Sequence, residues 1–170
     1  MKKFLLAFIV LVILLTGAFA FIYKKNQAPK VHYHAGFVIF KDNKQVDFSD
    51  FKYMVVKPCT TSKTEEKETP EDNQIEKAHL HDLVGDVVHV ERENSKWSDL
   101  FTNLKYNMDY SKTTAYINGK KVDNFQDLVI QPYDSLVILI GSSDAKTALS
   151  KAVKVTHIKD AEKRSENCSS

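Results

Sequence analysis

Glycine and proline are scarce in this sequence of 170 residues, with five and four copies respectively. Collagen-like and low-complexity disordered chains contain far more of both residues. Hydrophobic residues make up 43% and charged residues 27%, which is the balance of an ordinary globular protein. The length fits one compact domain plus a short additional segment and excludes a large multidomain enzyme.

The sequence also lacks the motifs of common enzymes. It has no GxSxG, no HExxH, no CxxC and no phosphate-binding glycine loop. Cupins and amidohydrolases use HxH pairs such as His79-x-His81, but Glu91 lies farther along the chain than a cupin glutamate does. The roughly 250-residue barrel of an amidohydrolase does not fit in this chain. We therefore expect a protein that is not an enzyme.

Basic residues are not in excess once the amino-terminal segment is set apart. The chain has 24 lysines and arginines against 22 acids, and residues 1–30 hold five lysines and no acid, so 19 basic and 22 acidic residues remain. Nucleic-acid binding needs clustered Lys and Arg that replace the counterions of the phosphates. The charge balance excludes nucleic acid as an expected partner.

A single long apolar run is present, residues 4–23, and a lysine pair flanks it on each side. About 20 apolar residues in a helix cross the roughly 30 Å hydrocarbon layer of a bilayer. Residues 1–25 are therefore predicted as a transmembrane anchor and residues 26–30 as a linker. A cleaved signal peptide is the alternative, because Ala18-Phe19-Ala20 matches the small-x-small pattern of peptidase sites.

The orientation follows from the short basic end before the apolar run, which is typical of an export signal. The flanking lysine pairs nearly balance, so the positive-inside rule adds little. We expect a single-pass protein of the cell membrane with an extracytoplasmic carboxyl-terminal domain. Another envelope protein is then a candidate partner.

The exported part has the periodicity of strands and one helix. In residues 31–40 the odd positions form an apolar face, and the even positions begin with His32 and His34. Apolar side chains recur at i, i+3, i+4 and i+7 from Trp97, which predicts a packed helix. An Asn-Gly turn and a final apolar strand follow. Residues 31–143 are predicted to form an α+β domain, a small mixed sheet with one packed helix.

Two polar segments adjoin this domain. Residues 60–77 carry many acids and hardly an apolar side chain, so they cannot offset their ordering entropy and are predicted to form an exposed loop. Residues 144–170 begin with a short helical pattern over residues 144–153 and finish polar. They are predicted as a carboxyl-terminal extension.

Residues 79–91 hold three of the six histidines and are predicted to form a β-hairpin. Residues 83–85 serve as its loop, with Gly85 in the left-handed conformation that such loops need. In this register His79 faces His89. The apolar positions all fall on the core side: Leu80, Val88 and Val90. The polar positions share the other side: His79, His81, His89 and Glu91.

This register predicts a metal site. Opposed Cβ atoms lie about 4.5–5.5 Å apart, a separation that imidazoles can bridge to one ion. We expect His79, His81 and His89 to bind the ion, with help from His32 or His34 if their strand adjoins the hairpin. The alternative is that all five are half-exposed strand histidines with ordinary hydrogen bonds.

The ligand type narrows the choice of ion. Neutral imidazoles suit zinc or copper, whereas calcium and magnesium need oxygen ligands. Asp82 and Glu91 are predicted either to orient the imidazoles or to be simple turn and edge residues. The competing function is a non-catalytic module that binds another envelope protein and whose histidines are incidental.

The two cysteines, Cys59 and Cys168, are predicted to form a disulfide, because extracytoplasmic cysteines usually pair. Closing so long a loop stabilises the folded state by about 4.7 kcal/mol in the entropic model. The alternatives are two free thiols with Cys59 as a metal ligand, or a redox-active pair, which the absence of CxxC disfavours.

Three motifs carry a family resemblance: the HxH strand, the HxHD…HVE hairpin and the INGK…DSLVILIG ending. Together they resemble a group of uncharacterised membrane-anchored prokaryotic proteins, which implies location and architecture but no activity. Residues 95–141 also resemble the β-grasp domains of ubiquitin-like and sulfur-carrier proteins. The diglycine tail of sulfur carriers is absent, because Ser142 follows Gly141.

Overall fold

The computed structural model describes residues 30–55 and 69–165. None of the helices in these ranges combines the length and the apolar character that a bilayer crossing requires. The predicted membrane segment, residues 4–23, and both cysteines, Cys59 and Cys168, lie outside the described residues. The anchor and the disulfide therefore stay predictions.

A mixed six-stranded sheet forms the centre of the domain. Its strands are β1 (Lys30–Lys41), β2 (Lys44–Gln45), β3 (Val87–Arg92), β4 (Thr113–Ile117), β5 (Lys120–Val122) and β6 (Ser135–Ile140). β1 is antiparallel to β2 and β3 along one edge and parallel to β6 along the other. β6 pairs with β4, and β4 with β5, both antiparallel. The prediction of an α+β domain with a mixed sheet is confirmed.

The alternating pattern of β1 divides the interior into two apolar clusters, because successive side chains of a strand point to opposite faces. Ala35, Phe37 and Ile39 belong to the larger cluster, which we call the main core. Val38 and Phe40 belong to a smaller cluster on the other face, the second cluster. Since His32 and His34 occupy even positions of β1, they lie on the face of the second cluster.

Four α-helices surround the sheet: α1 (Pro70–Lys77), α2 (Trp97–Asn103), α3 (Ala145–Ser150) and α4 (Val155–Ser165). Short 3₁₀ helices span Phe51–Tyr53, Tyr110–Lys112 and Phe125–Asp127. α2 is the helix that the spacing from Trp97 predicts, and its apolar side chains are buried in the main core. The prediction of a single packed helix is wrong, because α1, α3 and α4 also pack on the domain.

Helix α1 corrects the prediction of an exposed loop over residues 60–77 at residues 70–77, whereas residues 60–68 lie outside the described residues. Thr69 and Asp72 form a capping box at its start, and Pro70 occupies the first turn, where a missing N–H costs nothing. Glu76 is buried and accepts hydrogen bonds from Arg92 of β3. This buried ion pair connects the carboxyl-terminal turn of α1 to β3.

The segment after β6 corrects the prediction of a polar extension over residues 144–170. Asp144 caps α3, and Ile158 and Ala161 of α4 are buried in the second cluster. Gly36 of β1 allows this close approach, because a Cβ at that position would lie 2.4 Å from Cβ of Val153. Residues 145–164 therefore complete the domain and cover the face of the sheet that carries the histidines.

Candidate metal centre

Five of the six histidines come together beside the second cluster, and His89 lies at the centre of the group. Its ring centroid lies 4.6 Å from that of His32, 4.7 Å from His34, 4.9 Å from His79 and 4.7 Å from His81. We call these five residues the histidine cluster. His157, the sixth histidine, pairs with Asp86 at 2.9 Å instead and is not one of the five.

Strand pairing brings the cluster together. His34 of β1 is the direct antiparallel partner of His89 on β3, and His79 forms an isolated antiparallel bridge with His89 on the opposite edge of β3. His79 and His89 exchange both backbone hydrogen bonds, at 3.0 and 2.8 Å. The predicted pairing of His79 with His89 and the burial of Leu80, Val88 and Val90 are confirmed, but the pairing is an isolated bridge and residues 79–86 form no strand of a hairpin. The assumed adjacency of β1 and the hairpin is also confirmed.

The turn of this hairpin differs from the prediction. Asp82 and Leu83 adopt left-handed conformations, with φ of 55° and 56°, whereas Gly85 was expected to do so. Gly85 is needed for a different reason, because a Cβ on it would lie 2.4 Å from the backbone nitrogen of Ser49. The left-handed conformation at Leu83 is costly for a branched side chain. The Asp82 carboxylate lies beside the His81 ring.

Three of the five histidines form a potential ligand set. One ring nitrogen each from His32, His34 and His89 lies within 4.8 Å of the other two. The His34 ring is only 1% exposed, His89 is half-buried and His32 is exposed. The sequence placed His79, His81 and His89 at the centre of the site and His32 and His34 at its margin. The structure groups the two β1 residues with His89 instead.

His79 and His81 are outside this set, and hydrogen bonds fix the orientation of both rings. Nδ1 of His79 lies 3.0 Å from the carbonyl oxygen of Ile75, which can only accept, so this nitrogen carries the proton. Nδ1 of His81 lies 2.7 Å from the Asp82 carboxylate, and Nε2 of His81 lies 2.6 Å from Nδ1 of His89. Both rings are already held by neighbouring acceptors or rings.

The chain from Asp82 through His81 to His89 assigns the tautomer of each ring. The carboxylate accepts the Nδ1 proton of His81, so Nε2 of neutral His81 has a lone pair and accepts from Nδ1 of His89. Nε2 of His89 is then unprotonated. This atom is buried and has no hydrogen-bond partner among the described residues. An unprotonated buried nitrogen is the form of imidazole that binds a metal ion.

Burial keeps the central rings neutral. Loss of hydration, together with smaller contributions from the nearby imidazoles of His32, His81 and His79, lowers the pKa of His34 to about 4. Burial also lowers the pKa of His89, with contributions from the four other rings. At neutral pH both imidazoles are therefore uncharged, and a metal ion does not have to displace a second ring proton.

Neighbouring side chains hold the segment that precedes His79. The side-chain amide of Asn103 on α2 donates to the carbonyl oxygens of Gln74 and Ala78 at 2.9 and 2.7 Å, which satisfies the carboxyl end of α1. Glu91, predicted beside the cluster, is half-buried two residues after His89 and is not one of the three residues in the ligand set. Its predicted role in orienting an imidazole stays a prediction.

The sequence provides no indication that Glu162 belongs to this region. Oε1 of Glu162 on α4 lies 4.0 Å from Nδ1 of His34, and Oε2 accepts a hydrogen bond of 3.1 Å from the Tyr133 hydroxyl. The spacing of Ile158 and Ala161, one turn apart, is the signal that could have indicated a packed helix here. No local pattern relates Glu162 to a histidine far earlier in the chain.

Comparison of the chain with models of protein families, with curated proteins and with solved structures yields no match. The resemblances to β-grasp domains and to membrane-anchored prokaryotic proteins stay predictions. The chemistry of the histidine cluster is therefore the basis for a function.

Proposed function

We propose that this protein binds a transition-metal ion through His32, His34 and His89. The observation that carries the proposal is the approach of three ring nitrogens to within 4.8 Å of one another. Both nitrogens of His34 and Nε2 of His89 are buried without a hydrogen-bond partner among the described residues. Unsatisfied buried polar atoms are rare in proteins because each costs free energy, and a bound ion would satisfy them.

The donor atoms favour zinc or copper. Three imidazoles offer borderline nitrogen ligands, which suit these ions better than they suit calcium or magnesium. Nitrogens that bind one zinc ion at about 2.0–2.1 Å in tetrahedral geometry lie roughly 3.4 Å apart. The set must therefore contract on binding. Because His32 is exposed, its side chain is the one with the freedom to move.

The access route favours binding and exchange of the ion over a sealed structural role. His32 lies at the exposed end of the set, and the buried ring of His34 lies at the inner end. An ion can thus be captured from solvent by His32 and passed to the neutral rings of His34 and His89. We propose a binding protein and not an enzyme.

The location of the protein is also a proposal and rests on the sequence. Residues 4–23 would hold the domain at the outer face of the cell membrane as a single-pass anchor. The domain would then bind the ion outside the cytoplasm. Docking to another envelope protein, with incidental histidines, is the competing function that the following experiment separates from metal binding.

The test is metal titration of the full-length chain in detergent, by calorimetry and elemental analysis with zinc and with copper. Replacement of His32, His34 and His89 together by Ala should abolish uptake, since it removes all three donors. His157→Ala is the matched control, because this histidine pairs with Asp86 outside the cluster, and it should bind like the wild type. Thermal unfolding checks that each variant is folded.

A second variant compares the two ligand sets. Replacement of His79 and His81 by Ala leaves the three proposed donors in place but removes the ring that orients His89, so affinity should fall by roughly 10- to 100-fold. Equal uptake by the wild type and the variant without His32, His34 and His89 would contradict metal binding by this set. That result would favour the interaction module.

A further inference from the structure

Helix α4 brings a carboxylate to the buried end of the ligand set. Oε1 of Glu162 lies 4.0 Å from Nδ1 of His34, and the Glu162 side chain is 26% exposed. Oε2 accepts from the hydroxyl of Tyr133, while the backbone N–H of Tyr133 donates to the carbonyl oxygen of His34 at 2.8 Å. Glu162, Tyr133 and His34 thus form a closed ring of contacts that links α4 to β1.

The carboxylate of Glu162 has two possible roles, as a metal ligand or as a residue that orients a ligand, and the distances favour the second. Glu162 is outside the set whose ligand atoms all lie within 4.8 Å of one another, so it is not a ligand alongside the three histidines. It approaches Nδ1 of His34, at 4.0 Å. An imidazole that binds a metal through one nitrogen commonly donates its other N–H to a carboxylate, which fixes the tautomer and the ring orientation.

The carboxylate of Asp82 also contacts a ring of the histidine cluster. Asp82 accepts from His81, whose other nitrogen contacts His89. His89 is thereby oriented indirectly by one carboxylate, and His34 faces another. Two carboxylates would also balance the two positive charges of a divalent ion bound by neutral imidazoles, which lowers the cost of placing that ion beside the second cluster.

We propose that Glu162 is a positioning residue of the metal centre: when the ion binds, Glu162 accepts the Nδ1–H of His34 and directs Nε2 of His34 to the ion. The inference rests on the proposed function. The 4.0 Å separation is too long for a hydrogen bond, so the carboxylate and the ring approach each other by about 1 Å on binding. Metal binding therefore also strengthens the docking of α4 on β1.

The experiment compares zinc affinity in the full-length wild type and in Glu162→Ala, Glu162→Gln and Asp160→Asn. Asp160 lies on the same helix, is exposed and pairs with Lys163 at 3.6 Å, so Asp160→Asn is the matched control. Glu162→Ala should weaken zinc binding by roughly 10- to 100-fold. Glu162→Gln should recover part of the loss because its amide oxygen still accepts a hydrogen bond, and Asp160→Asn should bind like the wild type.

Two further measurements separate positioning from a merely structural contribution. The visible absorption of bound Co²⁺ should change in Glu162→Ala, because the His34 ring loses its fixed orientation. Zinc should slow amide hydrogen exchange of α4 in the wild type and in Asp160→Asn, but not in Glu162→Ala. In the metal-free state, Glu162→Ala should exchange like Tyr133→Phe, because both variants lose the hydrogen bond from Tyr133 to Glu162 and neither loses one between Glu162 and His34.

Each outcome decides the proposal. Equal zinc affinity of Glu162→Ala and a metal-binding wild type would overturn the role of Glu162 and leave the proposed function standing. A loss of affinity accompanied by faster exchange of α4 in metal-free Glu162→Ala than in metal-free Tyr133→Phe would overturn it too, because the effect would then be structural. A wild type that binds neither zinc nor copper would overturn both proposals.

Discussion

At the scale of single residues, His34 is the most constrained member of the cluster. Its ring is 1% exposed, and neither of its nitrogens has a hydrogen-bond partner among the described residues. A buried neutral imidazole in this state costs free energy in the metal-free protein. Residues that lower stability in this way are typical of binding sites, where the ligand returns the missing interaction.

The lowered pKa of His34 predicts an acid-sensitive fold. The pKa is about 4 in the folded protein against 6.5 for the free side chain, so the unfolded chain binds the proton more tightly. The contribution of His34 to stability is therefore complete above pH 6.5 and is lost as the pH falls from 6.5 through 4. The shift implies a loss of roughly 2.5 kcal/mol in the free energy of unfolding between pH 7.5 and 4.5.

Urea unfolding of the metal-free protein at these two pH values measures this loss. Carboxylates also titrate in this range, so the comparison that matters is with His34→Leu, in which the imidazole is gone. Its pH dependence should be smaller by the amount assigned to His34. Identical pH dependence in the wild type and His34→Leu would contradict the prediction.

At the scale of elements, close backbone packing holds the link between α3 and α4 against β1. Gly36 lies two residues after His34, and Val153 packs directly onto its Cα, where any side chain would collide. The contact brings the start of α4 over the strand that carries the proposed ligands. The precise course of this link therefore determines where Glu162 meets His34.

Gly36→Ala should destabilise the protein by about 1–3 kcal/mol, as overpacking in a well-packed interior does. The added Cβ would lie 2.4 Å from that of Val153, and neither side has room to yield. Val153→Gly removes the opposing Cβ, so the double variant should lose less stability than the sum of the two single changes. Additive losses in chemical denaturation would show that the contact is not the cause.

At the scale of the whole molecule, the residues after β6 are part of the domain. Without α3 and α4, the second cluster would expose the side chains that β1, β3 and β6 direct to that face: Val38, Phe40, Val87, Val137 and Leu139. A sheet with one apolar face in water is a liability for solubility and stability. The histidine cluster lies on the same face and depends on the same cover.

A chain that ends at residue 143 should therefore lose most of its stability or fail to fold. Each large apolar side chain that returns to water costs about 1.5–3 kcal/mol, which is comparable in sum with the whole stability of a small domain. A chain that ends at residue 165 keeps both helices and is the control. Both chains lack Cys168, so the predicted Cys59–Cys168 disulfide contributes to neither, and both are compared by thermal unfolding. Equal stability of the two chains would contradict the prediction.

Local periodicity is sufficient to identify the elements whose burial follows the spacing of their own side chains. The alternation in residues 31–40 predicts β1, the spacing from Trp97 predicts α2, and the apolar positions 80, 88 and 90 determine the hairpin register. Because His79 and His89 follow from that register, a histidine cluster could also be predicted. The capping box from Thr69 to Asp72 is a local signal for α1 that its acidic surroundings obscure.

Other features depend on contacts between distant parts of the chain. The grouping of His32, His34 and His89 as the ligand set requires that β1 lie beside β3. The position of Glu162 depends on how α4 crosses the sheet, 128 residues after His34. Such contacts arise when separate elements bury their apolar faces together, and no repeat within a single element encodes them.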